Sequence, residues 1–184
     1  SSGFAACLCA SRSTAQCMET FHSEIGSVAE SLQGAMKGKV YLASSSFLDF
    51  IEQKVHEEET HDGSWRCIWA FHSLSDQLKS FMELLKSVRG GTYEMELSGD
   101  YKTIDSELNS TYKKYIRISM KNNNTDAESV RSTQRLWILH RDSTAECLHE
   151  FNPKVSIVEW KTLLTQQRVE QLDEALSSLV SRLD

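Results

Sequence analysis

Thr125 to Phe151 (TDAESVRSTQRLWILHRDSTAECLHEF) contains no glycine or proline, and it is closed by Asn152-Pro153, the one proline of the 184-residue chain. So long a run without a breaker favours a helix, and Pro153 disfavours helical geometry at Asn152. Thr125-x-x-Glu128 has the spacing at which a hydroxyl and a carboxylate satisfy amide donors at a helix start. A helix of about 25 residues would span roughly 37 Å. Ala127, Val130, Gln134, Trp137, Arg141, Ala145 and Leu148 share one face at spacings of three and four. That stripe sets a large aromatic beside a guanidinium. A plain core helix does not need Arg141-Asp142 just after Trp137.

The same period recurs along the chain. Residues 1–12 read as an irregular arm. From Ser13, the apolar positions Met18, Phe21, Ile25, Val28, Leu32 and Ala35/Met36 step by three and four until Gly34 and Gly38 end the helix. Ser44-Ser45-Ser46 can cap a second, shorter helix with Phe47, Leu48, Ile51 and Val55 on its apolar face. Glu57-Glu58-Glu59 and His61-Asp62-Gly63 read as an exposed acidic break. Ser64 can cap a third helix carrying Trp65, Ile68, Trp69, Leu78, Phe81, Leu85 and Val88, stopped by Gly90-Gly91. Thr92 to Leu97 alternates briefly, too short a run to build a sheet on. A fourth helix from Asp100 turns Tyr101, Ile104, Leu108, Tyr112, Tyr115 and Ile116 inward. Past Pro153 a last helix carries Trp160, Leu163, Leu164, Val169, Leu172, Leu176, Leu179 and Leu183.

These elements predict an all-α chain, an antiparallel bundle of about six helices. Its parts are an arm (1–12), a helical half (13–90), a linker (91–99) and a second helical half (100–184). Ser23-Glu24-Ile25 is like Ser106-Glu107-Leu108, and Trp69-Ala70-Phe71-His72 is like Trp137-Ile138-Leu139-His140. These short likenesses fit a worn duplication, and they also fit the tendency of aromatic helices to look alike.

Forty per cent apolar residues suffice for a core, and no run approaches a membrane span. The formal charge of −6 argues against nucleic acid and favours a basic macromolecular partner, chiefly through encounter rate. Cys7, Cys9 and Cys17 crowd the N-terminus while Cys67 and Cys147 stand apart, a pattern that suits disulfides in an oxidising compartment. The alternative is incidental thiols in a reducing one. No signal-peptide pattern is visible in Ser1 to Ala10.

Sites of chemistry are hard to find. His56 and His61 bracket three glutamates, but five residues apart they do not share a helix face as zinc-binding H-E-x-x-H histidines do. No glycine-rich phosphate loop is present, and Cys147 and His149, two apart, point to different sides of a helix. The expectation is no catalytic residue, no metal and no cofactor.

Three pieces of the second half resemble the LprI-type lysozyme-inhibitor family of small helical exported bacterial proteins. Asp105-Ser106-Glu107-Leu108-Asn109-Ser110-Thr111-Tyr112-Lys113 is similar to its D-x-E-L-N-x-x-Y-K helix. Gln134-Arg135-Leu136-Trp137 through Arg141-Asp142 to Cys147 is similar to its Q-R-x-W-x-x-x-R-D-x-x-C helix, with two residues more before the cysteine. Leu164-Thr165-Gln166-Gln167-Arg168 to Leu172 is similar to its L-T-x-x-R-x-x-x-L tail. The family's cysteine pair before the first piece is absent between Glu96 and Tyr101. The nearest such pair is Cys9 with Cys17, which suits a worn first copy in residues 9–90. Trp160 lies where the family has a cysteine before the tail.

The resemblance implies a non-enzymatic periplasmic or secreted protein that inhibits a lysozyme or another cell-wall-directed enzyme, or that gives immunity against a secreted toxin. It makes Leu108, Tyr112, Trp137, Arg141, Asp142, Cys147 and Arg168 a structural signature, and Cys9, Cys17, Cys67 and Cys147 candidates for disulfides. The acidic residues Glu57, Glu58, Glu59 and Asp62 are the candidate contacts for a basic hydrolase or toxin. The alternative is an intracellular adaptor that offers the Val169–Leu183 seam to a partner helix.

Overall fold

The computed structural model describes residues 2–59, 66–121 and 126–181, with the side chains of 2–11, 66 and 67 outside that description. The chain is all-α: α1 (Ser2–Glu30), α2 (Gly34–Glu58), α3 (Arg66–Arg89), α4 (Tyr101–Lys121), α5 (Ala127–Phe151) and α6 (Ile157–Val180). It divides into two compact units, Ser1–Tyr93 and Glu94–Asp184, parting within residues 91–99.

In the first unit α1 starts at Ser2, so the irregular arm expected over residues 1–12 is helical from residue 2. The expected break at Gly34–Gly38 falls earlier. α1 stops at Glu30, and Gly34, at φ +60°, opens α2 in a left-handed conformation that favours glycine. Ser44, Ser45 and Ser46 cap nothing. They lie inside α2, where their hydroxyls donate to the carbonyls of Val40 and Leu42 one turn back. Phe21, Phe47 and Phe81 bring the three helices together: Phe47 stacks on Phe81 at 4.3 Å, and Phe21 meets both rings near 6 Å. Burying each such ring contributes roughly 2–3 kcal/mol. Arg89, the last residue of α3, donates to Val28 O at 3.0 Å, capping a carbonyl at the end of α1. α1 and α3 therefore run in the same direction and pack on each other, and α2 runs opposite to both.

α3 ends as Gly90-Gly91 predicts. Thr92 N donates to Ser87 O at 2.9 Å and Gly91 N to Val88 O at 3.2 Å, with Gly91 at φ +71°. This is the paired closure of a Schellman motif, and it requires a residue that tolerates left-handed geometry. Gly91→Ala should cost about 1 kcal/mol. Urea denaturation should show it as a lower midpoint with an unchanged slope.

In the second unit Asp100 caps α4 through Thr103 N at 2.8 Å. Thr125 lies outside the described residues, and the cap on α5 is Asp126, whose carboxylate accepts from Ser129 N at 2.7 Å. Asn152 ends α5 before Pro153, and His149 secures that corner by donating through Nδ1 to Val155 O at 2.7 Å. α6 opens with a full capping box between Ser156 and Glu159. It packs against both α4 and α5. Val169, Leu172 and Ala175 are buried, so the first part of the expected partner seam is spent inside the unit. Ser98 donates through N and Oγ to Gln166 Oε1, both at 2.9 Å, fixing the approach to α4.

Candidate functional site

The seven signature positions all fall in the second unit, where they form two layers. In the outer layer Trp137 is 3% exposed, and the guanidinium of Arg141 lies 5.1 Å from its ring centre. Arg141 Nε donates to Asp142 Oδ1 at 2.8 Å and Nη1 to Tyr101 Oη at 3.2 Å. Lys161 Nζ sits 3.2 Å from the same carboxylate oxygen. One residue pair on α5 thus touches α4 through Tyr101 and α6 through Lys161. Burial alone would raise the Asp142 carboxyl, but Arg141 and Lys161 outweigh it and hold the group below its ordinary range. Because Asp142 is partly solvated, each bond contributes little alone; the network fixes helix register.

In the inner layer Arg168 is 1% exposed, and its Nε donates to Gln134 Oε1 at 3.1 Å. The Arg168–Gln134 and Lys161–Asp142 contacts run in opposite sequence directions, so α5 and α6 are antiparallel. His140 is buried with Nδ1 3.0 Å from Thr144 Oγ1. Loss of solvent, with the charge of Arg168 adding to it, lowers His140 to about 3. A histidine so placed is neutral near pH 7 and is sealed from substrate. Leu108 and Cys147 are buried as well. Tyr112 is half-buried; loss of solvent raises its phenol against the opposing charges of Arg131, Arg168 and Arg135.

This arrangement holds helices together, and its polar groups are turned toward one another. Sequence reading finds Trp137, Arg141, Asp142 and Arg168 but misses Tyr101 and Lys161 as their partners, since contacts between helices leave no local spacing. His140 and Thr144 carried a signal, because side chains four apart on a helix meet.

The first unit corrects the acidic reading. Glu57 is 8% exposed and Glu58 half-buried, inside the last turn of α2. Glu59 accepts from Lys54 at 2.5 Å, from Ser73 and from Gln77 at 3.2 Å, tying α2 to α3. A lysine 4% exposed needs such a counter-charge. Asp62 lies outside the described residues, as does His61, and among the described residues no cluster with metal-binding composition occurs.

No disulfide is present among the described residues, where Cys17 is half-buried and Cys147 buried. The side chains of Cys9 and Cys67 lie outside the description. With α1 continuous, Cys9 and Cys17 stand two turns apart, about 12 Å along the axis, beyond the reach of a bridge. Cys17 lines a groove of about 370 Å³ between α1 and α3 with Phe21, Phe71, Leu78 and Met82. Glu24 at that groove is engaged by Lys86 at 3.5 Å. Among the described residues, no helix is long and apolar enough to cross a membrane.

No curated protein and no solved structure gives a significant match to the chain. A family model does: over residues 89–174, which take in α4, α5 and most of α6 with their full two-layer network, the chain matches the family of the lysozyme inhibitor LprI.

Proposed function

We propose that the protein is a non-enzymatic exported binding protein that inhibits a lysozyme or another cell-wall-directed enzyme. The observation that carries this reading is the coincidence of the family match with the second compact unit. The polar clusters support it. His140, Arg168 and Cys147 are sealed inside, and Arg141 and Asp142 satisfy each other, so none is poised for chemistry on a substrate. Inhibition would come from covering the enzyme's cleft. The formal charge of −6 would draw the protein to a basic enzyme, faster at low salt. Immunity against a secreted toxin is a variant of the same activity. Since Glu57 is buried and Glu59 is engaged in tying α2 to α3, a basic partner would be met by other carboxylates.

The test is to follow turnover of a panel of cell-wall hydrolases with the protein added, together with co-elution. At least one enzyme should be inhibited in proportion to complex formed, with an association rate that falls as salt rises. Neither inhibition nor a complex at micromolar concentration would end the inhibitor reading.

A further inference from the structure

Between Glu107 and Asp126 the chain has four basic residues, Lys113, Lys114, Arg117 and Lys121, and no acidic one. All four are exposed on the second half of α4. None of them has an ion pair among the described residues, whereas Arg131 and Arg135, the next bases along the chain, do. In a chain with six more acids than bases this concentration is unexpected. At 100° per residue the four side chains lie within about 100° of arc, opposite the buried Ile104, Leu108 and Tyr115. Lys121 has a local reason to be there, since a cation suits the end of a helix. Lys113, Lys114 and Arg117 lie too far from that end for it.

We propose that this face of α4 docks a linear phosphodiester polymer. Lys113, Arg117 and Lys121 step by four residues, which sets cations about 6 Å apart along one line. An extended phosphodiester chain can follow that line charge for charge. Single-stranded nucleic acid binding also needs aromatic platforms. Here Tyr115 is buried, Tyr112 is half-buried, and Met120 is the one large apolar residue of α4 that is exposed. A lipid surface would need an outward apolar face, and α4 has turned its own toward α6. The docking surface would repel a basic hydrolase, so it is separate from the inhibitory contact and does not depend on it.

Binding of the full chain to poly(glycerol phosphate) tests this, read by sedimentation across a salt series. The wild type should bind at low salt and not bind neutral dextran. Affinity should fall with salt with a slope of roughly 0.7–0.9 per phosphate contact. The triple variant Lys113→Gln/Arg117→Gln/Lys121→Gln should lose at least about tenfold in affinity and flatten that slope by roughly 2, with an unchanged helical circular dichroism spectrum. A charge-matched variant, Arg12→Gln/Lys79→Gln/Lys154→Gln, should stay within about threefold of wild type. Equal loss in both variants would overturn the proposal, because only net charge would then matter. So would no binding by the wild type, or tighter binding to anionic vesicles or to oligothymidylate than to the polymer.

Discussion

Replacing Trp137 with alanine is expected to destabilise the second unit by about 3–5 kcal/mol, the usual cost of emptying a large buried aromatic site. The ring is 3% exposed and also carries the Arg141 guanidinium, so the substitution removes packing and a stacking partner together. Trp69→Ala is the matched control. Trp69 stands in a similar Trp-x-x-His context but is 56% exposed, and the change should move stability by less than about 1 kcal/mol. Native-state hydrogen exchange should place the Trp137 loss in α4, α5 and α6. Equal costs at the two sites would contradict the burial on which the two-layer network rests. The contrast also bears on the likeness between the two helices. Trp137 and His140 are buried, whereas Trp69 and His72 are exposed, so the shared letters do different work.

How much of this was legible in the sequence depended on whether the determinant was local. Pro153, Gly90-Gly91 and the three-four stepping of Ile104, Leu108, Tyr112 and Tyr115 report on backbone geometry and on one face of one helix, and all-α follows from them. Boundaries failed where one local signal competed with another. Three consecutive serines read as a cap, yet within α2 they satisfy their hydroxyls on carbonyls one turn back, which any helix can supply. Gly34 read as a terminator, yet its left-handed φ begins a helix. The acidic run failed for a different reason. Charge predicts exposure for Glu57 to Glu59, but Glu57 is buried in the last turn of α2, and Glu59 just after it finds its counter-charge in Lys54 and its remaining donors, Ser73 and Gln77, on α3. Family signature residues were legible as letters and their partners were not: Trp137, Arg141 and Arg168 can be read from the sequence, while Tyr101, Lys161 and Gln134 become partners only when the helices pack.

His140 makes the second large prediction, one of pH. Its folded pKa of about 3 lies below the ordinary histidine value, because burial with Arg168 nearby penalises the charged ring. Between those two values the unfolded chain binds a proton that the folded chain refuses, so stability must rise with pH across that window. On acidification from pH 7, the loss begins near pH 6.5 and proceeds at on the order of 1 kcal/mol per pH unit, about 2 kcal/mol by pH 5. Asp142 acts in the same sense at lower pH. Its carboxyl is held below the ordinary range, so the stability from its bonds to Arg141 and Lys161 is present above the unfolded value and lost as pH falls through the folded one. The check is a set of urea unfolding curves at pH 7, 6, 5 and 4, comparing wild type with His140→Gln. The variant should be less stable at pH 7, since Thr144 loses its ring partner, but its stability should stay nearly level between pH 6.5 and 5. His72→Gln, at an exposed position of α3, should leave the wild-type slope intact. Parallel profiles for wild type and His140→Gln would mean that another group takes up the proton. A flat profile in the variant alone would tie the acid sensitivity of the second unit to the one histidine buried between α5 and α6.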